Sequence, residues 1–383
     1  MSAPTSPTTG DSAAVQAPSE SVLRALPKVS LHDHLDGAVR PQTIIDLSPV
    51  VGLDLPTADA DELGAWFLGQ STTGSLVDYL RSFDITTAVM RDAAGLERVA
   101  REYVLDVAAD GVVHGVVRWA PEQSAADGLS LDGAVEAVLA GLEAGAAQVR
   151  AAGGSTTVTL LVCAMRQNDR SEEIAELALR HREAGVVGFD IAGPEKAFPP
   201  SAHRAAFERV AAAHLPITVH AGEADDLPSI ASALLEGRAL RPGHGTRLAL
   251  DITEVDGRPV LGPLATWVRD RGIALELSLT SNLHTGAFAH WGERMTEHPF
   301  DLLYRSGTTV TVNTDNRLMS ATTLTADLAA LVDAFGYGLA DLEKLQLNAA
   351  HATFLPAPAR ADLAERIRAG FAAARDSASS SQS

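Results

Sequence analysis

The sequence predicts an α/β protein: one (β/α)8 TIM barrel with a helical insertion after the first strand. Three observations lead there. Short β-branched or apolar runs alternate with Ala-, Leu- and Glu-rich stretches of helical period, the pattern of repeated βα units. Eight such runs can be counted, enough to close a barrel. The histidines and acids that could do chemistry gather at the C-terminal ends of these runs, where barrel enzymes build their sites.

The first run is "KVSLH", Lys28–His32, followed by "VVHGVVRW", Val112–Trp119. Next come "TTVTLLVC", Thr156–Cys163, "VVGFDIA", Val186–Ala192, and "PITVH", Pro216–His220. The series ends with "RALRPGH", Arg238–His244, the weakest of the set, then "IALELS", Ile273–Ser278, and "TTVTVN", Thr308–Asn313. Residues 41–110 are too many for one crossover helix, so they read as helices over the barrel mouth, with "WFLG" at Trp66–Gly69 as a lid candidate. An ordinary helical packing insert reads equally well. Residues 1–20, rich in Ser, Thr, Pro and Ala, read as a disordered tail and not a signal peptide, and 372–383 as a second tail. The barrel domain is then 21–371.

A formal charge of −19, from 49 acids and 30 bases, excludes nucleic acid and anionic membranes as natural partners and leaves a small molecule. No window offers the roughly 18 uninterrupted apolar residues of a spanning helix, so a cytoplasmic protein is expected. Cys163 is the single cysteine, which rules out an intrachain disulfide and a thiolate-rich metal site. A metal must therefore sit on histidine and carboxylate.

In "VSLHDHLDG", His32 and His34 lie two residues apart on a strand and so share one side, while Asp33 faces the other. Further strand ends carry His220 and Glu223 in "HAGE", His244 in "GHG", and Asp315 with Asn316 in "NTDN". One histidine at a strand end means little; four strand ends bearing His, Glu or Asp on the same face point to a site. Three imidazoles with one carboxylate suit Zn²⁺, with Fe²⁺, Co²⁺ or Mn²⁺ as possible substitutes. Such a metal makes hydroxide available near neutral pH, which implies hydrolysis. Glu223, just past its strand, could give or take a proton, or it could cap the helix that follows.

The motifs "HDHLDG", "CAMR", "DIAGPE", "TVHAGE", "PGHG", "LTSN" and "NTDN" occur in the order found in the adenosine deaminases of the metal-dependent amidohydrolases, which the chain resembles from about Val29 to Phe354. The resemblance implies one Zn²⁺ per chain on His32, His34, His220 and Asp315. It implies Glu223, His244 and Asp315 as the catalytic side chains, with Glu223 protonating purine N1 and His244 orienting the water and helping to deprotonate it. It also implies substrate contacts from His34, Asp36, the Gly193 N–H and Asn316. The reaction implied is hydrolysis of adenosine, and of 2′-deoxyadenosine, to the inosine product and ammonia in purine salvage.

Two departures bear on the substrate. The family's commoner Thr-Asp-Asp-Pro is "TDNR" here, with Asn316 and Arg317, and the usual Cys-Pro before Ser/Thr-Ser-Asn is Ser278-Leu279. Asn316 could donate to purine N7 without a protonated carboxyl, or it could cap a helix beginning after Met319. Adenine deaminases tend to carry Glu where Asp36 stands, and the shorter Asp leaves room for a ribose. Adenine, a modified adenosine analogue, and a barrel that binds metal without catalysis are the alternatives. No lysine stands on the fourth run to carry a bridging carbamate, so one metal is expected and not two.

Overall fold

Runs of Val, Ile and Leu form the strands because β-branched and apolar side chains suit a sheet buried on both faces. The computed structural model describes residues 17–72, 76–125 and 128–380. Its strands are β1 (Lys28–His34), β2 (Val112–Trp119), β3 (Thr157–Met165), β4 (Val186–Ala192) and β5 (Thr218–Ala221). They continue with β6 (Arg241–His244), β7 (Ile252–Val255), β8 (Arg258–Leu261), β9 (Leu275–Leu277) and β10 (Val310–Val312). Two parallel four-stranded sheets run in the orders β1-β2-β3-β4 and β10-β9-β6-β5.

Both seams between these sheets are bridged. Phe189 on β4 pairs with Ile217, and the Phe189 N–H donates to the Pro216 carbonyl at 3.0 Å. Across the other seam the His34 N–H donates to the Asp315 carbonyl at 2.7 Å, and the Asp315 N–H to the His32 carbonyl at 2.8 Å. Eight parallel strands thus form a closed ring, the (β/α)8 barrel.

β2 and β4 coincide with their predicted runs. β6 begins three residues later than predicted because Arg238 takes a left-handed φ of 55° and Leu240 faces solvent. The sequence reading missed the antiparallel hairpin β7-β8. Its turn is Asp256-Gly257, with φ of 50° and 71°, the positive values that a two-residue hairpin turn demands.

Between β1 and β2 lie helices Pro41–Val51, Ala60–Ser71, Leu76–Ala88 and Ala93–Ala109. The last of these is the crossover helix, packed on β2 and on helix Leu131–Ala151. The lid candidate at Trp66–Gly69 does not reach the barrel mouth: Phe67 is fully buried in the hydrophobic core. Helix Leu76–Ala88 supplies Tyr79, Phe83, Asp84 and Thr87 to the cavity there instead.

Of the first expected tail, 1–16 lies outside the described residues, and Ser19 caps the helix Glu20–Ala25. The second expected tail needs correcting, since helix Ala357–Ser380 runs through most of it. Alanine-rich "FAAAR" favours helix, Phe371 is buried, and Arg375 pairs with Glu343 at 2.7 Å. No helix among the described residues is long and apolar enough to cross a membrane.

Helices Ala93–Ala109 and Leu131–Ala151 approach closely at Gly141, where an added Cβ would stand 2.3 Å from the Glu97 carbonyl oxygen. Gly141→Val should therefore force the helices apart and cost about 1–3 kcal/mol. The urea midpoint should fall with an unchanged m value, and an unaltered midpoint would show that this contact has slack.

Candidate active site

The strand ends predicted to carry chemistry meet at one point on the C-terminal face of the barrel. His32 and His34 end β1, His220 lies in β5, His244 ends β6, and Asp315 follows β10. His34 Nε2 is 3.0 Å from His220 Nε2, while Asp315 Oδ1 is 3.3 Å from His32 Nε2 and 3.4 Å from His34 Nε2. One ligand atom from each of His32, His34, His220 and Asp315 falls within a 4.8 Å cluster. Asp33, on the opposite side of β1, instead accepts from the Tyr103 hydroxyl at 2.6 Å in the helical layer.

The outer nitrogens of two of these imidazoles face carboxylates. His32 Nδ1 lies 2.9 Å from Glu276 Oε2, and His220 Nδ1 lies 3.1 Å from Asp190 Oδ2. Each carboxylate draws the ring proton to Nδ1, which leaves a lone pair on Nε2 pointing inward. His32 Nε2, fully buried, has no hydrogen-bond partner among the described residues and faces a carboxylate oxygen, acceptor against acceptor. Such an arrangement calls for a cation between them. Donors about 2.1 Å from a common ion stand about 3.0–3.4 Å apart, the spacing of this cluster.

Burial holds the His34 imidazole well below its ordinary pKa, neutral as a ligand must be. Asp315 and His244 both take left-handed φ values, 61° and 62°, which non-glycine residues adopt at a cost. Ser281 secures the outer oxygen of Asp315, donating to Oδ2 at 2.6 Å.

Beside this cluster stand Glu223 and His244, with Glu223 Oε2 3.6 Å from His244 Nε2. The Asn282 amide lies 3.1 Å from His244 Nδ1, and its carbonyl oxygen accepts from Thr246 Oγ1 at 2.7 Å. That assignment turns an Asn282 N–H toward His244, so Nδ1 accepts and Nε2 carries the proton facing the site.

A cavity of about 280 Å³ opens above these groups, also lined by Asp36, Gly193 and Asn316. Burial pushes the Asp36 carboxyl up to about 7, and its Oδ1 has no partner among the described residues. Gly193, with φ of 102°, leaves room that a Cβ would fill, 2.5 Å from Gln167 Oε1. All of the predicted site residues therefore border one cavity or the cluster at its floor.

The sequence reading missed Arg118, Asp190 and Glu276, which sit inside apolar strands and leave a single visible signal, a lone charge in each buried run. It also missed Glu195, whose carboxylate accepts from the backbone N–H groups of Gly222, Glu223, Ala224 and Asp225 at 2.6–3.1 Å and from Ser229 Oγ at 2.5 Å. Nothing in "GPEK" separates that acid from any loop acid.

A parallel barrel with imidazoles and a carboxylate converging at its C-terminal face defines a metal-dependent hydrolase of the amidohydrolase class. Within that class the chain belongs to the adenosine deaminase family, whose sequence pattern its residues 27–370 match. An adenosine deaminase of Mycolicibacterium gilvum is 49% identical over 347 residues, 90% of this chain and 95% of the relative. Arabidopsis ADAL complexed with IMP is 26% identical with a TM-score of 0.76, covering 91% of this chain and 98% of that one. A Burkholderia ambifaria amidohydrolase with bound Zn shares the fold at a TM-score of 0.81 and 22% identity, over 98% of both chains.

Glu195 holds the loop that carries Glu223, and hydrogen bonds to a charged acceptor are worth about 1.5–3 kcal/mol each. In Glu195→Ala the amides of 222–225 should exchange with deuterium at least roughly 10-fold faster, measured by mass spectrometry of that peptide. Unchanged protection would mean that neighbouring packing, and not this carboxylate, fixes the loop.

Proposed function

We propose that the protein hydrolyses adenosine and 2′-deoxyadenosine to the inosine product and ammonia, using one Zn²⁺ per chain, as a cytoplasmic enzyme of purine salvage. The observation that carries this reading is the convergence of His32, His34, His220 and Asp315 beside Glu223 and His244 on the floor of one cavity. The cluster fits a zinc ion in donor type, spacing and the outward carboxylates on two imidazoles. When bound there, the ion supplies Lewis-acid activation of a water molecule.

The remaining chemistry belongs to the chain's own side chains. Glu223 hands a proton to ring N1 as water adds at C6, so no full negative charge builds on the purine. His244 directs its Nε2–H at the attacking oxygen and holds it in line. This tautomer makes His244 an orienting donor, and the water's proton passes to a carboxylate, Asp315 or Glu223. Collapse of the tetrahedral C6 centre expels ammonia once a second proton reaches the amino group. In this reading the Gly193 N–H meets N3, Asn316 meets N7, and Asp36 accepts from a ribose hydroxyl; their common position in the cavity lining supports it.

The lining charge favours a neutral nucleoside over a nucleotide such as the IMP bound by ADAL. Asp36, Asp84, Glu195, Glu223 and Asp315 line the cavity, and no Lys or Arg does so among the described residues. A phosphate there would meet like charge without a cation to bind it.

The test is a panel of adenosine, 2′-deoxyadenosine, adenine, AMP and methylthioadenosine on zinc-loaded protein, followed by loss of the amino-purine absorbance. The two nucleosides should lead; preferred turnover of AMP, adenine or the methylthio analogue would reassign the substrate, and no turnover would leave a binding barrel. Glu223→Gln keeps size and hydrogen bonding but cannot deliver a proton, so adenosine turnover should fall about 10²–10⁴-fold with zinc content retained. A rate within about threefold of wild type would move the acid's role elsewhere.

A further inference from the structure

Among the polar groups that helix Leu76–Ala88 sets over the cavity is the hydroxyl of Tyr79, and this group is already engaged. Its oxygen accepts from Asn316 Nδ2 at 2.6 Å.

With its N–H2 end turned to Tyr79, Asn316 keeps a second N–H as the donor left for an occupant of the cavity.

The other end of the amide lies against Gly37. A Cβ on Gly37 would stand 2.0 Å from Asn316 Oδ1, so Gly37 is the residue that lets this oxygen lie against the backbone. That oxygen is buried without a partner among the described residues. Nothing on its own side of the amide prevents a flip, so the orientation depends on Tyr79.

We infer that Tyr79 is a positioning residue that fixes the Asn316 amide as a donor toward the purine edge. This inference rests on the proposed contact between Asn316 and N7. Without the hydroxyl, the amide can turn its oxygen toward N7, acceptor against acceptor. A base lacking the N7 acceptor would not register the difference.

The experiment compares adenosine with 7-deazaadenosine, which carries C–H in place of N7, on wild type, Tyr79→Phe, Asn316→Ala and the double variant. Tyr79→Phe should lower kcat/KM for adenosine about fivefold, the scale of one net hydrogen bond, and shift 7-deazaadenosine by less than about twofold. The double variant should be no worse on adenosine than Asn316→Ala alone, since Tyr79 acts through that amide. Calorimetric binding of inosine and 7-deazainosine should show the same selectivity without turnover. Equal losses on both bases after Tyr79→Phe, or no loss on either, would overturn the inference while Asn316→Ala still discriminated between them. If Asn316→Ala itself weakened both bases equally, the N7 contact and the role of Tyr79 would fall together.

Discussion

Arg118 lies between two buried carboxylates and holds both. Its guanidinium is 2.7 Å from Asp190 Oδ2 and 2.7 Å from Glu276 Oε2, and all three side chains are fully shielded from water. Burial alone would raise the two carboxyls. His220 and Arg118 outweigh it at Asp190, and Arg118, Arg241 and His32 outweigh it at Glu276, so both stay ionised well below the usual range. These are the carboxylates that face His32 and His220, so one arginine sets the distance between the supports of two imidazoles.

Stability does not explain such a cluster. Moving ions into a barrel interior costs several kcal/mol each, and packed apolar residues of similar volume often serve as well or better. Outer-shell partners of metal ligands, by contrast, typically change metal affinity about 10–100-fold. The larger effect lies on the site. The buried charges of β2, β4 and β9 are therefore best understood as the frame that aims His32 and His220. The same division runs through the molecule, with apolar packing closing the ring and the left-handed backbone of His244 and Asp315 confined to its C-terminal face.

Much of this was legible in the sequence, for physical reasons. The period of two places His32 and His34 on one side whatever surrounds them. β2 and β4 coincide with their predicted runs because strands buried on both faces leave continuous apolar stretches. The later strands are shorter than their runs, since pairing depends on backbone turns such as that at Arg238, which propensity does not encode. The β7-β8 hairpin carries its own signal in the sequence, the Asp256-Gly257 turn dipeptide. Trp66 looked like a lid because it is large and apolar; what decides the lid is which helix crosses the mouth, and that is a matter of tertiary packing. Arg118, Asp190 and Glu276 lie far apart in the chain, and only closure of the ring brings them together.

The central claim is that four side chains, aimed by this buried frame, hold one metal ion. Anomalous diffraction at the zinc edge from crystals of the zinc-loaded protein tests it most directly. The account predicts one peak per chain, about 2.0–2.2 Å from His32 Nε2, His34 Nε2, His220 Nε2 and Asp315 Oδ1. Two peaks in the cavity, or a single peak that leaves out His32 or His220, would contradict it.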